Sequence, residues 1–421
     1  MSRSAFAAAA LSAVVLLTSF PAHAEPPTAA ASGAPAVTQS PIRLDLRTAL
    51  ELAKSRSRAR RTGDARASEI ESHRAAAGVY PSSNPMLEVA AGPRATTDGV
   101  QSAVVEVGIS QTFELGPRVS ARSRELDALV RKAEAERDAA ILDLSGEVAH
   151  AFVRALWARD RLASGRAIEE LAKQAFEAAD RSARAGESKR LERSLARTAW
   201  ARARLDADLF EAEQTEVLGR LTVLVDLSPS SVVVVGRLED PLPSPGVRSA
   251  DLPQVRAYEA EADAARARTA LADALDYPDI TVGVRYGNED RGVHTVVGTF
   301  GITLPFFENG SGSRAIAKAE EATATLEAGL ARSASDAHAT AAESASKART
   351  RAISAFEAEA TFDLGESLQL VTRSFEAGEI DLAELLVFRK ELLETENARI
   401  DRQLDARDGE IDALLAKGML R

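Results

Sequence analysis

Apolar and polar positions alternate in two pairs of short segments, one pair in each half of the chain. The first pair is Met86–Gly92 and Ala103–Phe113, and the second is Ile280–Tyr286 and Thr295–Leu304. Successive side chains of a strand point to opposite faces, so this period of two predicts strands with one apolar and one polar face. Turn-forming residues within each pair predict two hairpins.

The alternation assigns particular residues to each face of these strands. The apolar rows contain Val105, Val107, Ile109, Phe113, Val282, Val284, Phe300, Ile302 and Leu304. The opposite rows contain Ser110, Thr112, Thr299 and Thr303. Each strand is predicted to have about 8–11 residues, close to the roughly 9–11 that a tilted strand needs to cross a bilayer. We therefore expect the apolar rows to face lipid and the polar rows to line an aqueous lumen.

A long helical segment follows each strand pair. The segment from about residue 119 to 185 contains no proline and only two glycines, and a similar long helix is predicted from about 313 to 377. In the returning segment at 189–227, apolar residues recur at spacings of three and four. Each long segment predicts a helix of roughly 65 residues, about 100 Å long at 1.5 Å per residue. Each is followed by an Ala-Gly-Glu turn and a second helix, so we expect two antiparallel helical hairpins.

The two halves repeat with an offset of about 192 residues. Pro85 corresponds to Pro278, Thr112 to Thr303, and the segment 181–187 to 373–379, which indicates a tandem duplication. We divide the chain into a first repeat at 44–227 with strands at 86–113 and a hairpin at 119–227, a linker at 228–250, and a second repeat at 251–421 with strands at 279–305 and a hairpin at 313–415. Each repeat is predicted to begin with a helix.

Residues 1–24 are typical of a secretory signal peptide. Arg3 precedes a short apolar stretch, and Ala22-His23-Ala24 matches a small-x-small cleavage site. A membrane anchor is the alternative, but the apolar stretch is too short to span a bilayer. Residues 25–43 are rich in Ala, Pro, Ser and Thr, which predicts a flexible lead-in.

Composition narrows the possible functions. The chain has 421 residues, 27% of them charged, a net charge of −11 and no cysteine. The acidic balance argues against nucleic-acid binding, and the lack of cysteine excludes disulfides, zinc–thiolate sites and a lipidated cysteine. The histidines are scattered and no nucleophile, phosphate-binding or dinucleotide motif occurs. We expect no enzyme, no cofactor and no metal site.

Four strands cannot close a membrane barrel alone, and an open sheet edge in lipid leaves backbone groups unpaired. Several chains must therefore join, and three copies would give twelve strands, within the known range of about 8–26. The predicted fold is an internally duplicated α+β membrane protein. Its long helical hairpins form an α-barrel, and its four strands per chain complete a 12-stranded β-barrel in a trimer.

Several motifs resemble the TolC-like outer-membrane efflux proteins over about residues 44–415. They are Ser83-Asn84-Pro85, Ser110-Gln111-Thr112-Phe113-Glu114-Leu115-Gly116, Thr303-Leu304-Pro305-Phe306-Phe307 and the Ala-Gly-Glu turns at 185–187 and 377–379. The resemblance implies a homotrimeric exit duct in the outer membrane of a Gram-negative type cell, with helices in the periplasm. It also implies passive export of small toxic solutes or metal cations, a periplasmic adaptor, and an inner-membrane pump of the resistance-nodulation-division type. The motif at residues 110–116 is similar to the heavy-metal branch.

The resemblance places the periplasmic tip, which docks the adaptor, at the two helical turns. The residues concerned are Gly186, Glu187, Glu376, Gly378, Glu379, Asp381 and Glu384. The acidic members could gate the duct, because three chains would bring like charges together. Alternatively, Glu379 and Asp381 could cap the returning helix.

Two alternative functions are also compatible with the sequence. A type I secretion outlet for proteins would use the same duct with a different partner. A periplasmic structural coiled-coil protein would place the strands in a small domain outside the membrane.

Overall fold

The computed structural model describes residues 42–95, 101–185, 190–228, 232–242, 252–289, 293–304, 310–359 and 364–420. The predicted signal peptide and residues 25–41 of the predicted lead-in lie outside these ranges. Within them, no helix combines the length and the apolar character that a membrane span requires.

Helices dominate the described part of the chain, and four of its six described strands lie in the segments 86–114 and 279–303. The first half contains β1 (Ile42–Leu44), α1 (Leu46–Arg56), α2 (Arg58–Ala77), β2 (Met86–Ala95), β3 (Gln101–Glu114), α3 (Arg118–Ala185), α4 (Arg190–Leu224) and β4 (Val232–Val234). The second half contains α5 (Pro253–Asp273), β5 (Asp279–Glu289), β6 (Val293–Thr303), α6 (Ser311–Glu359), α7 (Leu364–Glu376) and α8 (Leu382–Ala416). The 68 residues of α3 correspond to about 100 Å.

One feature differs from the sequence-based prediction. β1 and β4 form a small parallel pair, with Ile42 opposite Val232 and Leu44 opposite Val234, where a lead-in and a linker were predicted. The second long helix is described as two helices, α6 and α7, with residues 360–363 outside the described ranges. The first predicted helix is interrupted within its Arg-rich patch at 55–61, because the Ser57 hydroxyl caps α2 by accepting the Arg60 N–H at 3.2 Å.

The larger sheet has four antiparallel strands in the order β2-β3-β5-β6. Each repeat supplies one hairpin, and pairing of β3 with β5 joins the two hairpins into one sheet. β2 and β6 are the edge strands, and each pairs on one side only.

Helix α3 is the central element of the helical part, and it packs against α2, α4, α5 and α8. Alanine is the commonest of its buried residues, and alanine, glycine and serine together are 14 of the 23, so neighbouring helices approach closely. Larger side chains form a core where α1, α3, α4, α8 and the small sheet meet. Its fully buried members include Leu44, Val148, Leu221, Ile400 and Ile411.

A turn and a buried arginine connect β3 to α3. Gly116 has φ +83°, and a Cβ added to it would lie 2.5 Å from the Tyr277 ring. Arg118 is 9% exposed and donates to the carbonyls of Ala274 (3.0 Å) and Tyr277 (2.6 Å) and to Asp279 Oδ1 (2.7 Å). The corner of the first repeat is thereby attached to the α5–β5 connection of the second.

A histidine bridges the two helical hairpins midway along α3. His150 Nδ1 lies 2.6 Å from Asp408 Oδ1, and its Nε2 lies 3.2 Å from Asp412 Oδ1, both on α8. The hydrogen bond with Asp408 raises the pKa of His150 above its usual 6.5, against the opposing effect of burial. A carboxylate at each ring nitrogen favours the doubly protonated imidazolium, so the bridge is an ion triad.

We predict that Gly116→Ala destabilises the protein by about 1–3 kcal/mol, because the new Cβ meets the Tyr277 ring and the backbone is left-handed. Gly312→Ala, at the start of α6, is the matched control, since an added Cβ there meets nothing within 4 Å. Thermal unfolding followed by helical circular dichroism measures both. Equal melting temperatures for the two variants would contradict this account of the corner.

We predict that the stabilisation by His150 depends on pH. A raised pKa in the folded state means that the bridge is fully present below about pH 6.5 and is lost as pH rises through the raised pKa. The melting temperature of His150→Gln should therefore fall furthest below that of the wild type near pH 6, and the gap should narrow toward pH 9. The exposed His338, changed to Gln, is the control. A gap that is constant with pH would refute the ion triad.

Candidate functional site

The predicted apolar rows lie on one face of the four-stranded sheet. The register places Val107 opposite Tyr286, Ile109 opposite Val284 and Val282 opposite Phe300. Of the nine predicted residues, eight are exposed: Val105, Val107, Ile109, Val282, Val284, Phe300, Ile302 and Leu304. The ninth, Phe113, is partly covered, and its ring lies 6.2 Å from that of Tyr80. A continuous exposed apolar surface of this kind indicates contact with lipid or with another protein.

The edge strand β2 extends this apolar surface, although none of its residues was predicted to face lipid. Leu87 lies opposite Ile109 and is 68% exposed, and Val89 lies opposite Val107 and is 67% exposed. Leu87, Glu88 and Val89 alternate between apolar and charged side chains, so the sequence itself indicates that Leu87 and Val89 belong to the apolar face.

Aromatic side chains mark both ends of the apolar face. Tyr80 and Phe113 lie near the corner where the sheet meets the helices. At the opposite end, the Tyr286 ring stacks on His294, and its hydroxyl lies 2.7 Å from His294 Nδ1. Aromatic residues at two levels are typical of strands that cross a membrane.

The predicted polar rows share the other face of the sheet. Ser110 lies opposite Gly283, which in turn lies opposite Thr299. The hydroxyls of Thr112 and Thr281 are 2.9 Å apart, and Thr303 lies opposite Asp279. The structure thus brings Ser110, Thr112, Thr299 and Thr303 to one surface.

The second helical turn is a capped reversal. Gly378 has φ +74°, and its N–H donates to the Phe375 carbonyl at 3.1 Å. Asp381 is the N-cap of α8: its carboxylate accepts the Glu384 N–H at 2.8 Å, and the Glu384 carboxylate accepts the Asp381 N–H at 3.0 Å. This reciprocal pair is a capping box, which satisfies two backbone donors of the helix end.

The other predicted tip residues divide into two groups. Glu379 is exposed, and its backbone N–H donates to the Ser374 carbonyl at 2.9 Å, so Glu384 rather than Glu379 completes the cap with Asp381. Gly186 and Glu187 lie outside the described residues, and so does the side chain of Glu376.

The second tip packs against the first hairpin. Leu385 of α8 is buried with Leu171 and Ala175 of α3. Within the described residues, no group of three or more His, Asp or Glu side chains is placed to hold a metal ion.

The fold is similar to that of solved outer-membrane channels. The chain superposes on the open state of the Neisseria gonorrhoeae MtrE outer membrane channel with a TM-score of 0.70 and 20% identity. The superposition covers 89% of this chain and 88% of that one.

Two sequence relatives match shorter parts of the chain. Protein CyaE of Bordetella pertussis is 31% identical over 300 residues, which is 66% of this chain and 63% of that protein. The cobalt-zinc-cadmium resistance protein CzcC of Cupriavidus metallidurans is 29% identical over 221 residues, which is 50% of this chain and 52% of that protein. The matches thus span less than two thirds of either relative.

A family model described as outer membrane efflux protein matches residues 45–225 and 249–412. These ranges include all four strands of the larger sheet and both helical hairpins, except for the last four residues of α8. The match confirms the resemblance to TolC-like proteins and an outer-membrane location. The family and the solved structures of similar fold are outer-membrane channels rather than enzymes. The chain therefore belongs to the outer membrane efflux protein family.

Proposed function

We propose that the protein is the exit duct of a tripartite efflux system, in which three copies of the chain close a 12-stranded β-barrel. One observation carries the proposal: a sheet with an exposed apolar face also has two unpaired edges, β2 and β6. In hydrocarbon each unpaired backbone group costs several kcal/mol. Pairing β6 of one copy with β2 of the next removes every edge when the ring closes.

The edges of the helical layer support the same arrangement. α4 packs mainly on α3, and α6 packs on α5 and α8. Both carry apolar side chains that are more than half exposed: Leu205 and Leu209 on α4, and Leu326 and Leu330 on α6. A neighbouring copy would cover these side chains, because the two helices lie at opposite edges of the layer. Twelve helices would then form an α-barrel that extends about 100 Å into the periplasm.

The faces of the sheet would then have separate roles. The apolar rows, including Val107, Val284 and Phe300, would face lipid, and the polar rows, including Ser110 and Thr299, would line the lumen. The strands of 10 to 14 residues exceed or match the roughly 9–11 needed to cross a bilayer.

The duct would take its cargo from partners in the cell envelope. We propose a periplasmic adaptor at the helical turns and an inner-membrane pump of the resistance-nodulation-division type. The similarity to a protein described as a cobalt-zinc-cadmium resistance protein supports metal cations as cargo, beside other small toxic solutes. A type I secretion outlet is the second candidate, since it requires the same duct.

The joining of edge strands can be tested by cross-linking, because the chain contains no cysteine of its own. We predict that Val89→Cys on β2 combined with Phe300→Cys on β6 gives cross-linked species of two and three chains with a flexible bismaleimide. The control pair, Val105→Cys with Val284→Cys, lies on the central strands and should link within one chain. Only single chains from the edge pair, with no conductance in planar bilayers, would favour a periplasmic structural protein.

Substitutions in the capping box can distinguish a structural role of Asp381 and Glu384 from a gating role. Asparagine caps helices about as well as aspartate but carries no charge. We predict that Asp381→Asn keeps the melting temperature and conductance of the wild type, whereas Asp381→Ala costs about 1 kcal/mol. An increase in conductance from Asp381→Asn or Glu384→Gln would instead indicate that charge repulsion gates the duct.

A further inference from the structure

The polar face of the sheet carries a group of charges that lies between its two ends. The register places Glu88 of β2 opposite Gly108 of β3, and Gly108 opposite Arg285 of β5. Glu106 lies on the same face, two residues from Gly108 and opposite Gly287. These positions bring two carboxylates and one guanidinium together on three adjacent strands.

Arg285 contacts both carboxylates. Its Nη2 lies 3.2 Å from Glu88 Oε2, and its Nη1 lies 3.5 Å from Glu106 Oε2. Gly108, which lies between Glu88 and Arg285 on the sheet, has no side chain, and a Cβ added there would lie in ordinary contact with the Arg285 side chain at 3.7 Å. The three side chains remain 38–51% exposed, so they project into open space above the sheet.

The charges of this group do not cancel. Among the described side chains at this level of the polar face, Arg285 is the single cation, while Glu88 and Glu106 contribute two negative charges. The acids at the corner end of the face, Glu114 and Asp279, are paired with Arg122 and Arg118. One negative charge per chain is therefore left over at the level of Arg285.

We propose that Glu88, Glu106 and Arg285 form a charge-selective ring in the duct, which favours small cations over anions. This inference rests on the proposed function, because three copies around one lumen would place six carboxylates and three guanidinium groups at one level. Rings of acidic side chains select cations, and walls of low dielectric constant strengthen their field. Contacts of 3.2–3.5 Å between exposed groups leave the carboxylates available to a passing cation without holding it tightly.

Arg285 is the residue that sets the degree of selectivity. It neutralises one of the two carboxylates and holds both at the same level, so its removal would leave two uncompensated charges per chain. Removal of both carboxylates would instead leave an uncompensated cation, and the preference of the ring should then change sign.

The test is the reversal potential of the purified protein in planar bilayers across a KCl gradient. Arg285→Gln should move this potential toward the potassium equilibrium potential, and the double variant Glu88→Gln with Glu106→Gln should move it toward that of chloride. The matched control, Glu88→Asp with Glu106→Asp, retains the charges and should keep the cation preference. Electrophoresis without heating shows whether each variant assembles.

Different experimental results would overturn the proposed function and the charge-selective ring. Absence of conductance from the assembled wild-type protein would overturn the proposed function itself. Conductance with the same reversal potential in the wild type, Arg285→Gln and the double variant would overturn the ring alone. Should the double variant not assemble, the single variants Glu88→Gln and Arg285→Gln decide the matter, because the proposal requires opposite shifts from them.

Discussion

The hydrogen-bonding capacity of two strand edges constrains the whole molecule. β2 and β6 each leave one row of backbone N–H and C=O groups without a partner strand, in a sheet whose apolar face is exposed. Water would satisfy the edges but not the apolar face, and lipid would satisfy the face but not the edges. A closed ring of copies satisfies both, which is why we infer that the functional unit contains more than one chain.

The pairing of the two hairpins and the contacts of Arg118 suit a single chain to assembly in a closed ring. Each repeat supplies one hairpin, and β3–β5 pairing merges the hairpins so that only two edges remain. Arg118 attaches the first corner to the second repeat through three hydrogen bonds, so the sheet and the long helices are held in a fixed relation. The small buried residues of α3 allow its neighbours to pack at close range over its length.

The sequence predicts local features of this fold better than distant pairings. Alternation assigned Val107, Val284 and Phe300 to one face, and the Ala-Gly-Glu turn predicted the reversal at Gly378, since both signals depend on neighbouring residues. The β1–β4 pair was not predicted, because strands of three residues separated by most of a repeat have no periodic signal. The contact of His150 with Asp408, 258 residues away, likewise depends on how the hairpins dock.

We infer that the chain closes its sheet only together with other copies of itself. The mass of the detergent-solubilised particle, measured by native mass spectrometry after removal of the detergent, tests it most directly. We expect a particle of three chains. A stable particle of one chain, whose β2 and β6 backbone amides are protected from hydrogen exchange, would contradict the account.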